Sequence, residues 1–129
     1  MKAQRLPDAE FDVMQTIWDQ EPPVTTGQLM DLIGHGRGWK VQTVVTLLAR
    51  LADRGFIRVE RTGGRDRAFY PAISRDEYLR METESFLNHY HRRSVSSLIA
   101  ALAGERLTKD DLDELSDFIQ KMRKENTEK

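Results

Sequence analysis

The chain has 129 residues, of which 39% are hydrophobic and 32% are charged, and it contains no cysteine. The length suits one compact module with a short appendage, and the lack of cysteine excludes disulfides, thiolate metal centres and a cysteine nucleophile. No apolar stretch is long enough to cross a bilayer and no signal-peptide core follows Met1, so that we expect a cytoplasmic protein without membrane insertion.

Charge is distributed unevenly along the chain, although the formal net charge is only −1. Residues 8–31 contain six acidic residues and no lysine or arginine, whereas residues 37–67 contain eight basic residues and three acidic ones. The eight basic residues are Arg37, Lys40, Arg50, Arg54, Arg58, Arg61, Arg65 and Arg67. Most are arginine, whose planar guanidinium suits phosphate groups and guanine edges. The segregation favours a nucleic acid as partner over an ordinary solvated surface.

The N-terminal region predicts two helices. The first begins near Pro7 and Asp8, because proline fits a first helical turn and acidic groups there complement the helix dipole. Its core-facing stripe is predicted to be Phe11, Met14, Ile17 and Trp18. Thr25 and Gln28 have the spacing of a capping box and open a short second helix, which the glycine-rich segment 34–38 ends. The buried face of this second helix is predicted to be Leu29, Leu32 and Ile33.

A third helix followed by a hairpin is predicted next. The helix begins at Val41 and ends at a glycine cap, Gly55. Its core face is predicted to be Val41, Val44, Val45, Leu48, Leu51 and Ala52. Its exposed face is predicted to be Gln42, Thr43, Thr46, Arg50 and Arg54, with Leu47 as the one large apolar residue there. Residues 56–61 and 67–71 are predicted to form two strands joined by a turn at Gly63-Gly64. Three helices and then a hairpin is the order of a winged helix.

A winged helix-turn-helix module reads DNA with the second helix of the motif in the major groove and the first helix across the backbone. Residues 25–33 and 41–54 supply these two helices, and the hairpin supplies the wing. The predicted DNA-binding residues are Thr25, Thr26, Trp39, Lys40, Gln42, Thr43, Thr46, Arg50, Arg61, Arg65 and Arg67. Glutamine pairs with adenine, threonine meets a thymine methyl group or a phosphate, and arginine binds guanine or phosphate. Two alternatives to DNA contact stay open: Trp39 packs in the core instead, and the hairpin arginines Arg61, Arg65 and Arg67 are exposed to solvent without binding DNA.

The composition changes near residue 73, where we predict a domain boundary. A capping box at Ser74 and Glu77 opens one helix, a second helix ends at Gly104, and a third begins near Thr108. These helices have too little chain to close a core, so that we expect them to pair with the same helices of a second copy. The predicted dimerisation residues are Phe86, Leu98, Ile99, Leu102, Leu112, Leu115, Phe118 and Ile119. The alternative is a monomer in which they pack back on the N-terminal module.

The sequence shows no arrangement typical of an enzyme. Its candidates are three histidines and carboxylates scattered over helices, without a paired nucleophile and base. His89 and His91 lie two positions apart and face different sides of a helix, which makes a poor metal site. The glycines of segment 34–38 follow no strand and predict a turn rather than a phosphate loop. We therefore expect no enzymatic activity, no metal and no cofactor.

Residues spread over nearly the whole chain, from about residue 6 to residue 122, carry a family resemblance. They are Asp8-Ala9-Glu10, Val13-Met14, Ile17-Trp18, Trp39-Lys40, Thr43-Val44, Thr46-Leu47-Leu48, Arg50-Leu51, Gly55, Tyr70-Pro71, Tyr78 and Ser85-Phe86-Leu87. With them the chain resembles the penicillinase repressor family of β-lactamase and methicillin-resistance regulators, which includes copper-responsive repressors. The segment of the third helix is the most specific part of the match.

The resemblance implies a mainly α fold with a small β-hairpin wing. Residues 1–73 would form a winged helix-turn-helix DNA-binding domain, and residues 74–129 a helical dimerisation domain. It implies sequence-specific transcriptional repression by a homodimer on a palindromic operator of double-stranded DNA, with a membrane sensor peptidase as a further partner. The alternatives are a winged-helix module that binds another protein and a metal-responsive regulator. Protein binding would depend far less on salt than DNA binding.

The sequence departs from the family where the inducing signal is defined. The Asn-Phe bond that is cut in the antibiotic-resistance repressors corresponds to Ala101-Leu102, so that neither side chain matches. The copper-responsive branch resembles proteins with C-terminal cysteine pairs, and this chain has no cysteine. The resemblance therefore extends to fold and DNA binding, but it assigns neither a β-lactam nor copper as the signal.

Overall fold

The computed structural model describes residues 5–61 and 67–127, and its contacts form two compact units, residues 1–84 and residues 85–129. The elements in chain order are α1 (Asp8–Trp18), α2 (Thr26–Leu29) continued by a π-helical turn (Met30–Gly34), α3 (Val41–Asp53), β1 (Ile57–Arg61), β2 (Arg67–Pro71), α4 (Arg75–Tyr90), α5 (Val95–Leu102) and α6 (Lys109–Thr127). The predicted fold class, mainly α with a small β-hairpin wing, is confirmed.

The core of the first unit lies where α1, α2, α3 and the hairpin meet. Its fully buried side chains include Val13, Met14, Ile17, Val24, Leu29, Val44, Leu48, Leu51 and Phe56. Each helix contributes residues three or four positions apart, which places them on one face. Two predicted core residues of α1, Phe11 and Trp18, are only partly buried and pack at the edge of this core.

The core face of α3 differs from the predicted one. Leu47, predicted on the exposed face, is buried, whereas Val41 and Val45, predicted in the core, are 55% and 37% exposed. The buried stripe is Val44, Leu47, Leu48 and Leu51. Both stripes have helical spacing and differ only by a rotation about the helix axis, and contact with α1 selects the second.

The buried face of the second helix also differs from the prediction. Leu29 and Met30 are buried, but Leu32, predicted to be buried, is half exposed. The amide of His35 donates to the carbonyl of Met30 at 2.8 Å, an i to i+5 bond that widens the helix at this point. The widened turn carries Leu32 away from the core and Met30 into it. A Cβ on Gly34 would lie 2.7 Å from the Met30 sulfur, so that any larger residue at this position forces the Met30 side chain to shift.

The hairpin pairs β1 and β2 antiparallel, with Val59 opposite Phe69 and Arg61 opposite Arg67. The predicted strands are confirmed, and the predicted Gly63-Gly64 turn lies outside the described residues. Val24 adds a one-residue bridge to β2, because its amide donates to the Phe69 carbonyl at 3.0 Å and its carbonyl accepts from the Phe69 amide at 2.9 Å. The segment between α1 and α2 is thereby fixed to the hairpin.

The first turns of α4 belong to the first unit through Tyr78. The buried amide of Leu6 donates to the Tyr78 hydroxyl at 2.9 Å, and the ring lies 5.6–5.9 Å from those of Phe11, Trp18 and Phe56. Burial of the hydroxyl raises the pKa of Tyr78. The units accordingly divide after residue 84, within α4, and the boundary predicted near residue 73 lies inside the first unit.

The second unit is built from capped helices with little buried surface. Ser94 caps α5, its hydroxyl accepting from the Ser97 amide, and Thr108 and Asp111 form a capping box at the start of α6. Hydrogen bonds from Thr108 lower the pKa of the Asp111 carboxyl. Neither α5 nor α6 contains a buried residue. Within residues 5–61 and 67–127, no helix has both the length and the apolar character needed to cross a membrane.

We predict that Tyr78→Phe lowers the free energy of unfolding by about 1–3 kcal/mol, because the buried Leu6 amide loses its acceptor while the ring packing stays. Urea unfolding measures the effect. Tyr90→Phe is the matched control, since Tyr90 is exposed, and it should leave stability unchanged. Equal stability of the Tyr78 variant and the wild type would show that this hydrogen bond contributes nothing.

Candidate nucleic-acid interface

One face of α3 and the residue before it present a shallow polar hollow of about 300 Å³. It is lined by Lys40, Gln42, Thr43, Thr46, Leu47 and Arg50. The polar residues are exposed or half-buried and occupy neighbouring turns of one helix face, and the buried Leu47 forms the floor between them. The structure thus brings together five of the predicted DNA-binding residues on one surface.

The hollow offers complementary hydrogen-bonding groups and unneutralised positive charge. Gln42 supplies both a donor and an acceptor, and the threonine hydroxyls supply either. Within the described part of the chain, no carboxylate forms an ion pair with Lys40 or Arg50. A surface with this composition suits the edges of bases and the phosphates beside them.

Trp39, just before α3, is half-buried and packs against the core of the first unit. The Arg37 guanidinium lies 5.6 Å from the centre of its ring and also pairs with Asp12 at 2.8 Å. Of the two interpretations of Trp39, core packing is therefore present in the structure. Its contact with DNA stays a prediction that concerns only the exposed part of the ring.

Thr25 and Thr26 lie at the start of α2 and have different surroundings. The Thr25 hydroxyl accepts from the Gln28 amide at 3.2 Å, and the Gln28 side chain accepts from the Thr25 amide at 2.8 Å, which is the predicted capping box. Thr26 instead lines a second groove of about 460 Å³ between α3 and the hairpin, together with Val45 and Arg67. The structure does not bring Thr26 into the hollow.

The far end of the hairpin carries Arg61 directly opposite Arg67. Like charges in this position repel each other across the strand pair and favour an anion between them. Arg58, on the same strand as Arg61, stacks 4.6 Å from the Tyr70 ring and pairs with Glu60 at 3.3 Å. Arg65, also predicted to bind DNA, lies outside the described residues.

Three arginines of the basic segment are paired within the chain. Arg37 pairs with Asp12, Arg58 with Glu60, and Arg54 with the buried Glu10. The prediction that Arg54 belongs to the freely exposed face of α3 is wrong, because its guanidinium turns towards α1. No local pattern in the sequence indicates this pair, since its partners are far apart in the chain and meet only through tertiary packing.

The second unit contains an apolar groove of about 660 Å³ between α5 and α6. Four of the predicted dimerisation residues line it, namely Ile99, Leu102, Leu115 and Phe118. Leu112 and Ile119 of α6 and Phe86 of α4 are exposed, and Leu98 is half-buried. All eight predicted residues therefore retain accessible apolar surface. Pairing with a second copy stays a prediction.

The histidines of the α4–α5 region form local contacts. The His91 ring lies 2.9 Å from the Ser97 hydroxyl through Nδ1 and 5.5 Å from the Phe86 ring, while His89 lies against Tyr90. In residues 5–61 and 67–127, no group of three or more histidine, aspartate or glutamate side chains is arranged to hold a metal ion.

Three helices, a hairpin joined to the α1–α2 connection, and a polar face on the third helix define the first unit as a winged-helix module. The chain belongs to the penicillinase repressor family, because the family model described as "Penicillinase repressor" matches residues 6–121. The predicted family resemblance is thus confirmed. The family is one of transcriptional repressors and not of enzymes, in agreement with the sequence prediction.

Relatives and solved structures agree with this assignment. The chain is 25% identical to a penicillinase repressor of Bacillus licheniformis, and the match covers 92% of both chains. It is 23% identical to the methicillin resistance regulatory protein MecI of Staphylococcus aureus, over 93% of this chain and 97% of MecI. The solution structure of the DNA-binding domain of the repressor BlaI is 27% identical, with a TM-score of 0.53 over 60% of this chain and 92% of that one. A structure of monomeric Bacillus licheniformis BlaI with the blaP half-operator, also 27% identical, has a TM-score of 0.51 over the same shares.

We predict that Thr25→Ala lowers the free energy of unfolding by about 1 kcal/mol, because the Gln28 amide loses the hydroxyl that caps it. Thermal or urea unfolding measures the loss. Thr25→Ser keeps the hydroxyl and serves as the control, so that it should remain close to the wild type. If both variants lost the same amount, the methyl group rather than the cap would be responsible.

Proposed function

We propose that this chain is a sequence-specific DNA-binding transcriptional repressor, which acts as a homodimer on a palindromic operator. The observation that carries the proposal is the hollow on α3, where Lys40, Gln42, Thr43, Thr46 and Arg50 converge on an exposed helix face. In a winged helix this is the face that enters the major groove. The complex of BlaI with its half-operator supports DNA as the ligand of this fold within the family.

Within the proposed complex the residues have distinct tasks. Gln42 and Arg50 read base edges, because an amide pairs with adenine and a guanidinium with guanine. Thr43 and Thr46 contact a thymine methyl group or a phosphate. Lys40 and the opposed wing arginines, Arg61 and Arg67, bind phosphates, which relieves the repulsion between the two guanidinium groups. Thr25, Thr26, Trp39 and Arg65 complete the proposed interface.

The homodimer is supported by the apolar surface of the second unit. Leu112, Phe118 and Ile119 are about half exposed, and the groove between α5 and α6 is lined by further apolar side chains. Burial of such a surface is favourable by about 25 cal/mol per Å², and a second copy supplies a matching surface by symmetry. Two winged-helix modules then meet two half-sites, which accounts for a palindromic operator.

The cellular partners follow from the same proposal. A DNA-bound repressor acts in the cytoplasm, where its operator is. A membrane sensor peptidase is the proposed partner that relieves repression, as the family resemblance implies. The residues that correspond to the family's cleaved bond, Ala101 and Leu102, lie at the end of α5, and their identity does not match that of the antibiotic-resistance repressors.

One observation favours a second function, the binding of another protein through α3. Val41 and Val45 expose apolar surface on this helix. Salt separates the two functions: binding through six or more phosphate contacts weakens by about 10³-fold or more between 50 and 200 mM salt, whereas an apolar groove responds little. Steep salt dependence with duplex DNA supports repression, and binding that is insensitive to salt contradicts it.

We predict that Arg50→Ala lowers operator affinity by about 1–3 kcal/mol, because a bidentate base contact is lost. The operator is obtained by selecting bound sites from random DNA, and fluorescence anisotropy gives the affinity. Arg80→Ala removes an exposed arginine of α4 and should leave affinity unchanged. Unaltered binding by the Arg50 variant would refute the assignment of α3 as the recognition helix.

We predict that Leu115→Asp yields monomers that bind the full operator much more weakly, because a charge is placed in the apolar groove between α5 and α6. Sedimentation at micromolar concentration measures the oligomeric state. Gln120→Asp introduces the same charge at an exposed polar position of α6 and should remain dimeric. A wild-type protein that sediments as a monomer would contradict the proposed dimer.

A further inference from the structure

Glu10 on α1 is a buried carboxylate, with 1% of its surface exposed among the core residues of the first unit. Its Oε2 lies 3.3 Å from Nη1 of Arg54 and accepts no hydrogen bond from the part of the chain that the structure describes. A buried carboxylate is costly unless a cation compensates it. Arg54, the residue that caps the C-terminal end of α3, is that cation.

A second carboxylate of α1 reaches the opposite end of α3. Oδ2 of Asp12 lies 2.8 Å from Nη2 of Arg37, and the Arg37 guanidinium also stacks 5.6 Å from the Trp39 ring. Arg37 and Trp39 form the turn that leads into α3. Because Glu10 and Asp12 are two positions apart, they leave α1 on different sides and reach the two ends of α3.

We propose that Glu10 and Asp12 are positioning residues, which fix both ends of the recognition helix to α1 and hold Arg54 and Arg37 away from the DNA. This inference rests on the proposed function. The acidic residues of α1 and the basic residues of segment 37–67 then partly neutralise each other. The phosphate-binding charge is confined to the hollow, with Lys40 and Arg50, and to the wing.

Salt dependence distinguishes a positioning arginine from one that binds phosphate. Each phosphate contact increases the magnitude of the negative slope of log affinity against log salt by about 0.9, since one contact releases a fixed number of counterions. A residue that only orients α3 leaves this slope unchanged and alters the preference for the correct sequence. Loss of stability alone would change neither quantity in the folded protein.

The experiment uses the full chain with two duplexes, an operator selected from random DNA by the wild type and a scrambled duplex of equal length. Affinities are measured between about 50 and 200 mM salt. The variants are Arg54→Gln, Arg37→Gln and Glu10→Gln, with Lys40→Gln as the matched phosphate-contact control. The double variant Glu10→Gln/Arg54→Gln leaves no uncompensated buried charge and keeps the test informative where a single variant does not fold.

We expect Lys40→Gln to reduce the magnitude of the salt slope by about 0.9, and Arg54→Gln, Arg37→Gln and the double variant to leave it unchanged. Arg54→Gln and Glu10→Gln, or their double variant, should lower the affinity ratio of operator to scrambled duplex by about fivefold or more, which corresponds to the loss of one base contact. Arg37→Gln should lower it in the same direction, because its loss frees the turn before α3.

Two results would overturn the inference. A slope reduced by Arg54→Gln as much as by Lys40→Gln would make Arg54 a phosphate ligand, and an unchanged affinity ratio in all positioning variants would show that the pairs do not orient α3. The proposed function fails separately: in that case the wild type itself selects no sequence and shows no salt-dependent binding to either duplex.

Discussion

The packing of α3 on α1 is the contact on which the rest of the structure depends. Val44, Leu48 and Leu51 of α3 and Val13, Met14 and Ile17 of α1 are all buried. Because this contact sets the rotation of α3 about its axis, it decides which side chains point outward. Gln42, Thr43 and Arg50 face solvent only because the opposite side of the same helix is held in the core. The exposed polar face proposed to bind DNA is therefore a consequence of core packing, and a change of one buried side chain would alter it.

Local chemistry predicts the elements of this fold well. Capping boxes at Thr25 and Ser74 mark helix starts that the structure confirms. The two strands, predicted from their apolar residues and from the glycines between them, are also confirmed. Rotation about a helix axis is harder to predict, because the apolar residues of α3 fit two stripes of equal spacing and only the partner helix selects one. Leu32 shows a second limit, since the π-helical turn that exposes it has no signature in the sequence.

The candidate site was predictable to the extent that its residues share one helix. Lys40, Gln42, Thr43, Thr46 and Arg50 line one hollow because helical spacing places the residues of α3 on one face, next to the residue that precedes the helix. Thr26 lies in a neighbouring groove, since its position depends on how α2 and the hairpin pack against α3. The Glu10–Arg54 pair was not predictable, because a count of charges along the chain does not show which charges neutralise each other in space.

The lack of any buried residue in α5 and α6 has a consequence for how repression depends on the amount of repressor in the cell. Helices without a fully buried residue in a single chain can gain further packing energy from association, which follows mass action. In the proposed homodimer, the thermal midpoint of the second unit would rise with protein concentration. Operator occupancy would also vary with the square of the monomer concentration when dimers are scarce. A modest fall in the amount of repressor would then release its target disproportionately, even before any signal acts on the protein.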